Sequence, residues 1–185
     1  MKEKYEIETI DNQLLMQSNS NEMSEILVKV FHYFARGMGY STQAQEQLSH
    51  FGINHKIIEL GFDNGLFFAK ANELLKNQYV ALGLLEPSPI KRDGFRSYFK
   101  NHFVFPLYGV DSHIVGFWGS QLFPELSHKI LLEGVGCYPA PPSPATSVLI
   151  VCENPLQACL IQQINFSPTT AVVSIVRNTH NCLFD

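Results

Sequence analysis

The sequence has no long hydrophobic run and no excess of basic charge. No run of about 18 apolar residues occurs, so we predict no membrane-spanning helix. The polar N-terminal stretch MKEKYEIETIDNQ lacks the apolar centre of a secretory signal peptide. We therefore expect a cytoplasmic protein without a membrane partner. The formal net charge of −4 argues against a surface that is basic throughout, although it allows a local basic patch.

Paired metal-ligand motifs are also missing. The four cysteines form no C-x-x-C pair, and the seven histidines form no H-x-x-x-H pair. The spacing therefore predicts no zinc site. Cys152 and Cys159 stand in apolar stretches, and we expect both to be reduced residues of the core.

The sequence does have the composition of an ordinary globular protein. Of its 185 residues, 45% are hydrophobic and 16% are charged. This length is sufficient for one domain, or two small ones, with a substantial core.

Polar and helical segments occupy the first half of the chain. Residues 1–21 are polar and predict a flexible lead-in. Helical periodicity then predicts a helix between Ser24 and Gly37, and a second from a Thr42 cap to Gly52. A short strand is predicted over Ile57–Phe62. An amphipathic helix follows over LFFAKANELLKN.

A β-hairpin is the clearest strand signal. HFVFPLYGVDSHIVGFWGSQL contains two apolar runs around the turn residues GVDSH. Pro106, inside the first run, predicts an edge strand or a bulge, because proline has no N–H to donate. HKILLEG predicts a third strand. His102 and His113 flank the hairpin, and we expect both on the surface.

The last third of the chain has the pattern of a parallel β-α-β unit. Residues 134–146 are proline-rich and predict an extended linker that does not pair into a sheet. SVLIVCE, a helix beginning near Pro155, and TTAVVSIV then predict two parallel strands that are buried on both faces. The fold class is therefore α+β, with a mixed portion over 22–133 and the β-α-β unit over 147–185.

Glu153 ends the first of these parallel strands. One interpretation is a helix cap, since acids are favoured at helix N-termini. The other is a metal-binding or acid/base carboxylate, because ligands of α/β sheets bind at the carboxyl ends of the strands.

A basic segment precedes the hairpin. Lys91, Arg92, Arg96 and Lys100 fall within ten positions and alternate with Phe95, Tyr98 and Phe99. This pattern is typical of a phosphate-contacting surface for single strands, and equally of a solvated loop.

Two glycines flank Phe117 and Trp118 in the second hairpin strand. Gly116 and Gly119 indicate either a tightly packed buried hairpin or a place where the backbone approaches a ligand.

Three segments, in order, resemble the bacterial DnaG-type primase catalytic core. LSHFGINHKIIELGF resembles a helix followed by F-G-I-G-Y-A, and VLIVCENPLQACLI resembles the start of a TOPRIM domain. YFKNHFVFPLYGVDSHIVGFWGSQL resembles R-F-R-x-R-I-x-F-P-I followed by V-I-G-F-G-G-R-x-L. The intervening Y-P loop and proline-rich linker are similar to the version carried by mobile elements.

The resemblance implies an N-terminal primase subdomain followed by an incomplete TOPRIM unit. It implies primer synthesis from ribonucleotides on single-stranded DNA, with Glu153 as a catalytic residue and Mg²⁺ ligand. It also implies nucleic-acid contacts at the basic segment and at His102. A replicative helicase or mobile-element proteins are the implied protein partners.

The sequence departs from this pattern at several charged positions. His102 and Ser120 stand where the pattern has arginine, and Asn154 and Gln157 replace the Gly and Asp of Glu-Gly-x-x-Asp. The family's Asp-x-Asp carboxylates follow a third strand, which the sequence does not reach. These losses favour an alternative function, a non-catalytic interaction module that keeps the primase fold. A small-molecule hydrolase with its site at Glu153 is a third hypothesis.

Overall fold

The computed structural model describes residues 22–91, 94–121, 127–132 and 134–177. The predicted lead-in, Arg92 and Cys182 lie outside these ranges. Within them the fold is α+β, as predicted. Its elements are α1 (22–40), α2 (Thr42–His50), β1 (Gly61–Phe62), α3 (Glu73–Ala81), β2 (Leu85–Pro87), β3 (Phe95–Ser97), β4 (Phe103–Tyr108), β5 (Ile114–Gln121), β6 (Ser127–Leu132), β7 (Val135–Tyr138), β8 (Val148–Cys152), α4 (Pro155–Gln162) and β9 (Thr170–Arg177). No helix in these ranges is both long and apolar enough to cross a membrane.

A seven-stranded sheet organises the molecule. Its strand order is β6-β5-β4-β7-β9-β8, with β1 paired to β4 beside this path. The pairs are antiparallel except for β8 and β9, which run parallel. β2 and β3 form a separate two-stranded hairpin. Apolar clusters pack on both faces of the sheet, around Phe105 and Tyr138 on one and Phe34 and Phe117 on the other.

The helix boundaries follow local capping. Ser41, not Thr42, caps α2, because its side chain accepts a hydrogen bond from the Ala44 N–H at 3.2 Å. α3 begins later than the periodicity predicts, since Asn72 caps it by accepting from the Leu75 N–H at 2.9 Å. The predicted strand over Ile57–Phe62 was too long: only its last two residues pair, in β1.

The predicted hairpin is confirmed, because its two strands, β4 and β5, pair antiparallel. The predicted third strand is β6, which pairs with β5. Phe103 and Val104 pair with β1 on the other side of β4, and Tyr108 pairs with β7. Pro106 falls between these two pairings and lies opposite Phe117 on β5. Among the described strands, none pairs with Pro106 on that side, so its missing N–H is tolerated there. β4 is therefore an interior strand and not the predicted edge strand, with a register shift between Leu107 and Tyr108.

The predicted linker was wrong at its beginning. Residues 135–138 form β7, which pairs with β9 and, at Cys137, with Tyr108 of β4. These four residues precede the first proline, Pro139, and so retain the N–H groups that pairing needs. Because β7 lies between β4 and β9, the two predicted portions share one continuous sheet.

The parallel β8-α4-β9 unit is present, but β8 is not buried on both faces as predicted. Val148, Leu149 and Val151 are 51%, 49% and 60% exposed. β8 is the outermost strand of the sheet, and α4 packs over Ile150 and Cys152 on one face only. Cys152 and Cys159 are buried free thiols, as predicted.

Candidate nucleic-acid interface

Glu153 directly follows β8, at the carboxyl end of the parallel pair. β8 and β9 run parallel, with Cys152 paired to Ser174, so the residues that follow each strand lie at the same edge of the sheet. Arg177, the last residue of β9, lies at this edge too. The fold thus brings an exposed carboxylate and an exposed guanidinium to one edge of the sheet.

The helix-capping function belongs to Asn154 rather than to Glu153. The Asn154 side chain accepts a hydrogen bond from the Gln157 N–H at 3.0 Å, and Pro155 occupies the first turn of α4. The Gln157 side chain turns back to Glu153. Its Oε1 accepts from the Glu153 N–H at 3.1 Å, and its Nε2 donates to Oε2 at 3.2 Å. The arrangement is a variant of the capping box and leaves the carboxylate at the sheet edge.

A cleft of about 620 Å³ opens at this edge. One side comes from β5 and β6, and the other from the ends of β8 and β9. Its lining residues are Trp118, His128, Ile130, Glu153, Asn154, Ile175, Val176 and Arg177. The described residues thus give the cleft one acidic, one basic and two ring-bearing side chains.

Trp118 and His128 form the ring-bearing side of the cleft. Their rings lie 6.0 Å apart at an interplanar angle of 15°, which is a stacked arrangement. Phe105 lies behind the indole, with ring centroids 5.3 Å apart. Trp118 is 6% exposed, so the indole is held between the core and the imidazole, whereas His128 is exposed.

The described residues do not by themselves supply the full donor set of the Mg²⁺ site that the resemblance implies. Among the described residues, no group of three or more histidine, cysteine, aspartate or glutamate side chains could hold a metal ion. Within the described part of the chain, Glu153 is the one carboxylate that lines the cleft. Because Mg²⁺ sites for phosphoryl chemistry use carboxylates together with substrate oxygens, we derive no metal-dependent step from these residues.

Solved primase structures share this fold. No family model matches the chain, and no curated protein matches it. The structure of the DnaG primase catalytic domain bound to ssDNA aligns with a TM-score of 0.67 at 15% identity, over 85% of this chain and 54% of that one. The E. coli primase catalytic core aligns with a TM-score of 0.64 at 15% identity, over 82% of this chain and 53% of that one. The chain has the fold of a DnaG-type primase catalytic core.

The similarity extends over part of the primase cores only. The RNA polymerase domain of Mycobacterium tuberculosis DnaG, in complex with double-stranded DNA, aligns with a TM-score of 0.59 at 14% identity, over 83% of this chain and 54% of that one. The chain therefore spans about half the length of the solved cores it matches. This confirms the fold expected from the sequence motifs, while the site residues stay predictions.

The predicted basic segment lies apart from the cleft of this primase-type fold. Lys91 and Lys100 are exposed, and Arg92 is outside the described residues. Arg96 Nε donates to Glu86 Oε2 at 2.7 Å across the β2–β3 hairpin, so part of its charge is already compensated. None of Lys91, Arg96 and Lys100 lines the cleft.

His102 is an interior residue, contrary to its predicted place on the surface. It is 4% exposed, and its Nδ1 lies 2.9 Å from the Lys100 carbonyl oxygen. Burial lowers the pKa of its imidazole, an effect opposed by the Lys100 carbonyl and increased by the charge of Lys129. A phosphate contact at His102 stays a prediction, and it would require this side chain to leave the core. His113 is exposed, as predicted.

A buried carboxylate lies beside the basic segment. Asp63 is fully buried, accepts a hydrogen bond from the Gly65 N–H at 2.7 Å, and also accepts one from the Ser97 hydroxyl. Burial raises the pKa of Asp63, while the Ser97 and Gly65 hydrogen bonds and the charges of Lys100 and Lys129 oppose the rise. The positive charges of two lysines therefore favour the ionised form of this buried carboxyl group.

Lys129 has two contacts that hold it in place. Its Nζ donates to the Tyr98 carbonyl oxygen at 2.6 Å and lies 4.5 Å from the centroid of the Tyr98 ring. The predicted aromatic interleaving of the basic segment thus involves a lysine from β6 that the sequence reading did not include.

The two hairpin glycines are explained by packing within the protein. A Cβ atom at Gly116 would collide with the Leu131 carbonyl oxygen, and one at Gly119 with the Phe99 ring. Both positions therefore allow close approach of protein atoms. The buried-hairpin interpretation accounts for them without a ligand.

The positions of His128 and Arg177 in the cleft were not predicted from the sequence. The clue for His128 was the predicted third strand: in HKILLEG, alternate residues of a strand share a face, so His128 and Ile130 point to one side. The clue for Arg177 was the parallel unit, because a charged residue ends β9 as Glu153 follows β8.

A second cavity, of about 610 Å³, lies between α1 and the turn of the β4–β5 hairpin. His32, His55, His113, Glu59 and Tyr108 contribute its polar lining. The Tyr108 hydroxyl donates to Glu59 Oε2 at 2.7 Å, and burial raises the pKa of the phenol well above its usual range. This cavity shares no lining residue with the cleft beside Glu153.

Proposed function

We propose that this protein is a primase-related protein that binds single-stranded nucleic acid at the cleft beside Glu153. The observation that carries the proposal is the position of this cleft in a primase-type fold, at the carboxyl ends of the two parallel strands. Ligands of α/β sheets characteristically bind at such an edge.

Local chemistry supports a nucleic-acid ligand despite the net charge of −4. Arg177 supplies a phosphate partner inside the cleft, and Trp118 and His128 supply ring surfaces for bases. Lys91, Arg92, Arg96 and Lys100 are proposed as further contacts to the nucleic-acid backbone, and Lys91, Arg96 and Lys100 do not line the cleft. Among the structural neighbours, one primase domain is described as bound to ssDNA and another as in complex with double-stranded DNA.

The catalytic form of this proposal is a metal-dependent nucleotidyltransferase that makes RNA primers from ribonucleotides. In that reaction a primer 3′-hydroxyl would attack the α-phosphorus of a ribonucleoside triphosphate, form a phosphodiester bond and release pyrophosphate, and bound Mg²⁺ would supply stabilisation of the charge on the attacking and leaving oxygens. Glu153 is the proposed catalytic residue and metal ligand. The remaining carboxylates would come from outside the described residues, since the cleft itself contains one acid.

The alternative is a non-catalytic interaction module that acts through a helicase or through mobile-element proteins. Two observations favour it: Gln157 replaces the second acid of the family pattern and contacts Glu153, and Arg96 is paired with Glu86. Both alternatives place the protein in the cytoplasm.

A titration of labelled single-stranded DNA at low and moderate salt, followed by fluorescence anisotropy, separates the two functions. The nucleic-acid function predicts saturable binding that weakens steeply with salt, because phosphate contacts release counterions. Absence of binding at low salt would reject it in favour of the interaction module. Arg177→Gln should weaken binding and reduce its salt dependence, with Arg36→Gln on the exposed side of α1 as a charge-matched control.

A further inference from the structure

We propose that the stacked pair of Trp118 and His128 binds the base of a nucleotide, whose phosphate contacts Arg177. The inference rests on the proposed nucleic-acid function and assigns it a specific subsite. It follows from three features of the cleft: the stacked rings, the neighbouring guanidinium and the size of the space between them.

Rings of the core support the indole of the stacked pair. Trp118 pairs with Ile130 across β5 and β6, and His128 pairs with Ser120, which places the imidazole diagonally across from the indole on the same face of the sheet. Phe105 supports the indole from the core, and the Tyr138 ring contacts Phe105 at a centroid distance of 5.3 Å. A base stacking on His128 would therefore extend a ring stack that is supported from the core side.

The outer face of the imidazole is accessible to a ligand. His128 is exposed, whereas the indole beneath it is 6% exposed. A base can therefore extend the stack on the solvent side, where flat aromatic groups stack without sequence preference. The cleft volume of about 620 Å³ lies within the roughly 300–1,000 Å³ typical of small-ligand sites.

The opposite side of the cleft supplies groups for the rest of a nucleotide. Arg177 is exposed at the end of β9 and presents a guanidinium, which binds phosphate through paired N–H donors. Glu153 is an acceptor for sugar hydroxyl or base amino groups, and Gln157 fixes its orientation. A ring surface, a cation and an acceptor around one cleft match the three chemical parts of a nucleotide.

The residues of this cleft differ from the family pattern at two positions of β5. GFWGS places Trp118 at a glycine of G-F-G-G-R and Ser120 at its arginine. Ser120 is 2% exposed and lies opposite His128. The subsite therefore has a ring surface beside Ser120, the position at which the family pattern has a positively charged arginine.

Trp118 is the single tryptophan of the chain, so its fluorescence reports directly on this subsite. The full chain is titrated with ATP and, separately, with a labelled oligothymidylate, and Trp118 fluorescence is followed together with anisotropy of the oligonucleotide. We expect saturable quenching by at least one of them. The ligand that quenches identifies the source of the base, a free nucleotide or a single strand.

The matched variants are His128→Ala, which removes the ring, and His128→Phe, which keeps a ring without a charge. His128→Ala should weaken binding on the order of tenfold, as loss of one stacked base does, and His128→Phe should retain it. Circular dichroism and thermal unfolding verify that both variants fold, and quenching of the wild-type protein provides a readout that needs neither variant.

The outcomes distinguish failure of the subsite from failure of the proposed function. Oligonucleotide binding seen by anisotropy without any change in Trp118 fluorescence would overturn the subsite and leave the function standing. Equal affinity of His128→Ala and wild type would also overturn it. Absence of binding of both ligands in both readouts would reject the function and the subsite together.

Discussion

Gln157 holds the carboxylate of Glu153 from the first turn of α4, with 3.2 Å between Gln157 Nε2 and Glu153 Oε2. Its Oε1 accepts the Glu153 N–H at the same time. The residue that follows β8 is thereby fixed through both its backbone and its side chain. Asn154 caps the helix, so the carboxylate is available at the cleft.

The capping assignment predicts a selective effect on stability. Asn154→Ala should lower the free energy of unfolding by about 1 kcal/mol, because the Gln157 N–H loses its acceptor. Denaturant unfolding measures the change. Asn154→Ser, which keeps a capping oxygen, should restore most of the loss. An unchanged midpoint for Asn154→Ala would show that the cap contributes nothing to stability.

The close packing of β5 against β6 predicts that a side chain at Gly116 destabilises the fold. Gly116→Ala should lower the free energy of unfolding by about 1–3 kcal/mol, since the added Cβ collides with the Leu131 carbonyl oxygen. Gly39→Ala is the matched control: its Cβ would meet no atom within 4 Å, and alanine favours the helical conformation there. Thermal unfolding of both variants tests the difference. Equal midpoints for the two would contradict the observed packing.

The buried carboxyl group of Asp63 should make the folded protein less stable as pH rises. Its folded-state pKa lies above the ordinary 3.8, mainly through burial, so the unfolded chain releases this proton more readily. The contribution of Asp63 is fully present below 3.8 and is lost as pH rises through the folded-state pKa. In Asp63→Asn this component of the pH dependence should disappear, as measured by urea unfolding across the acidic range. An identical pH profile in the variant would refute the assignment.

His102 predicts a pH dependence of the opposite sign. Its folded-state pKa lies below the ordinary 6.5 because the ring is buried, so protonation favours the unfolded chain. Its contribution is present above 6.5 and is lost as pH falls through the folded-state pKa. NMR titration of the imidazole gives the pKa directly. A midpoint for His102 at or above the ordinary 6.5 would contradict the buried environment.

The strongly patterned elements could be predicted from the sequence. The β4–β5 hairpin, β6 and the parallel β8-α4-β9 unit all follow from apolar runs bounded by turn residues. For Pro106, the predicted edge strand was wrong, because β4 lies between β5 and β7, whereas a bulge-type register shift does occur nearby, between Leu107 and Tyr108. These signals are local, because each depends on side-chain periodicity or on the missing N–H of proline.

Features that depend on distant partners could not be predicted. β7 forms because β4 and β9 offer edges on either side of it, and nothing within its four residues VGCY signals this. His102 is buried because Phe99 and the Lys100 carbonyl enclose it, although histidine near a hairpin is usually exposed. The cleft combines His128 and Arg177 from strands almost 50 residues apart, so only the sheet order brings them together.

Photo-cross-linking of a single-stranded thymidine oligomer to the intact protein, followed by peptide mapping, tests the account most directly. The account predicts adducts on β6 at His128 and on the peptide that contains Arg177, and their loss when unlabelled single strand competes. Adducts confined to residues far from this cleft, such as the cavity beside His32, or no competable adducts at all, would contradict the placement of nucleic acid beside Glu153.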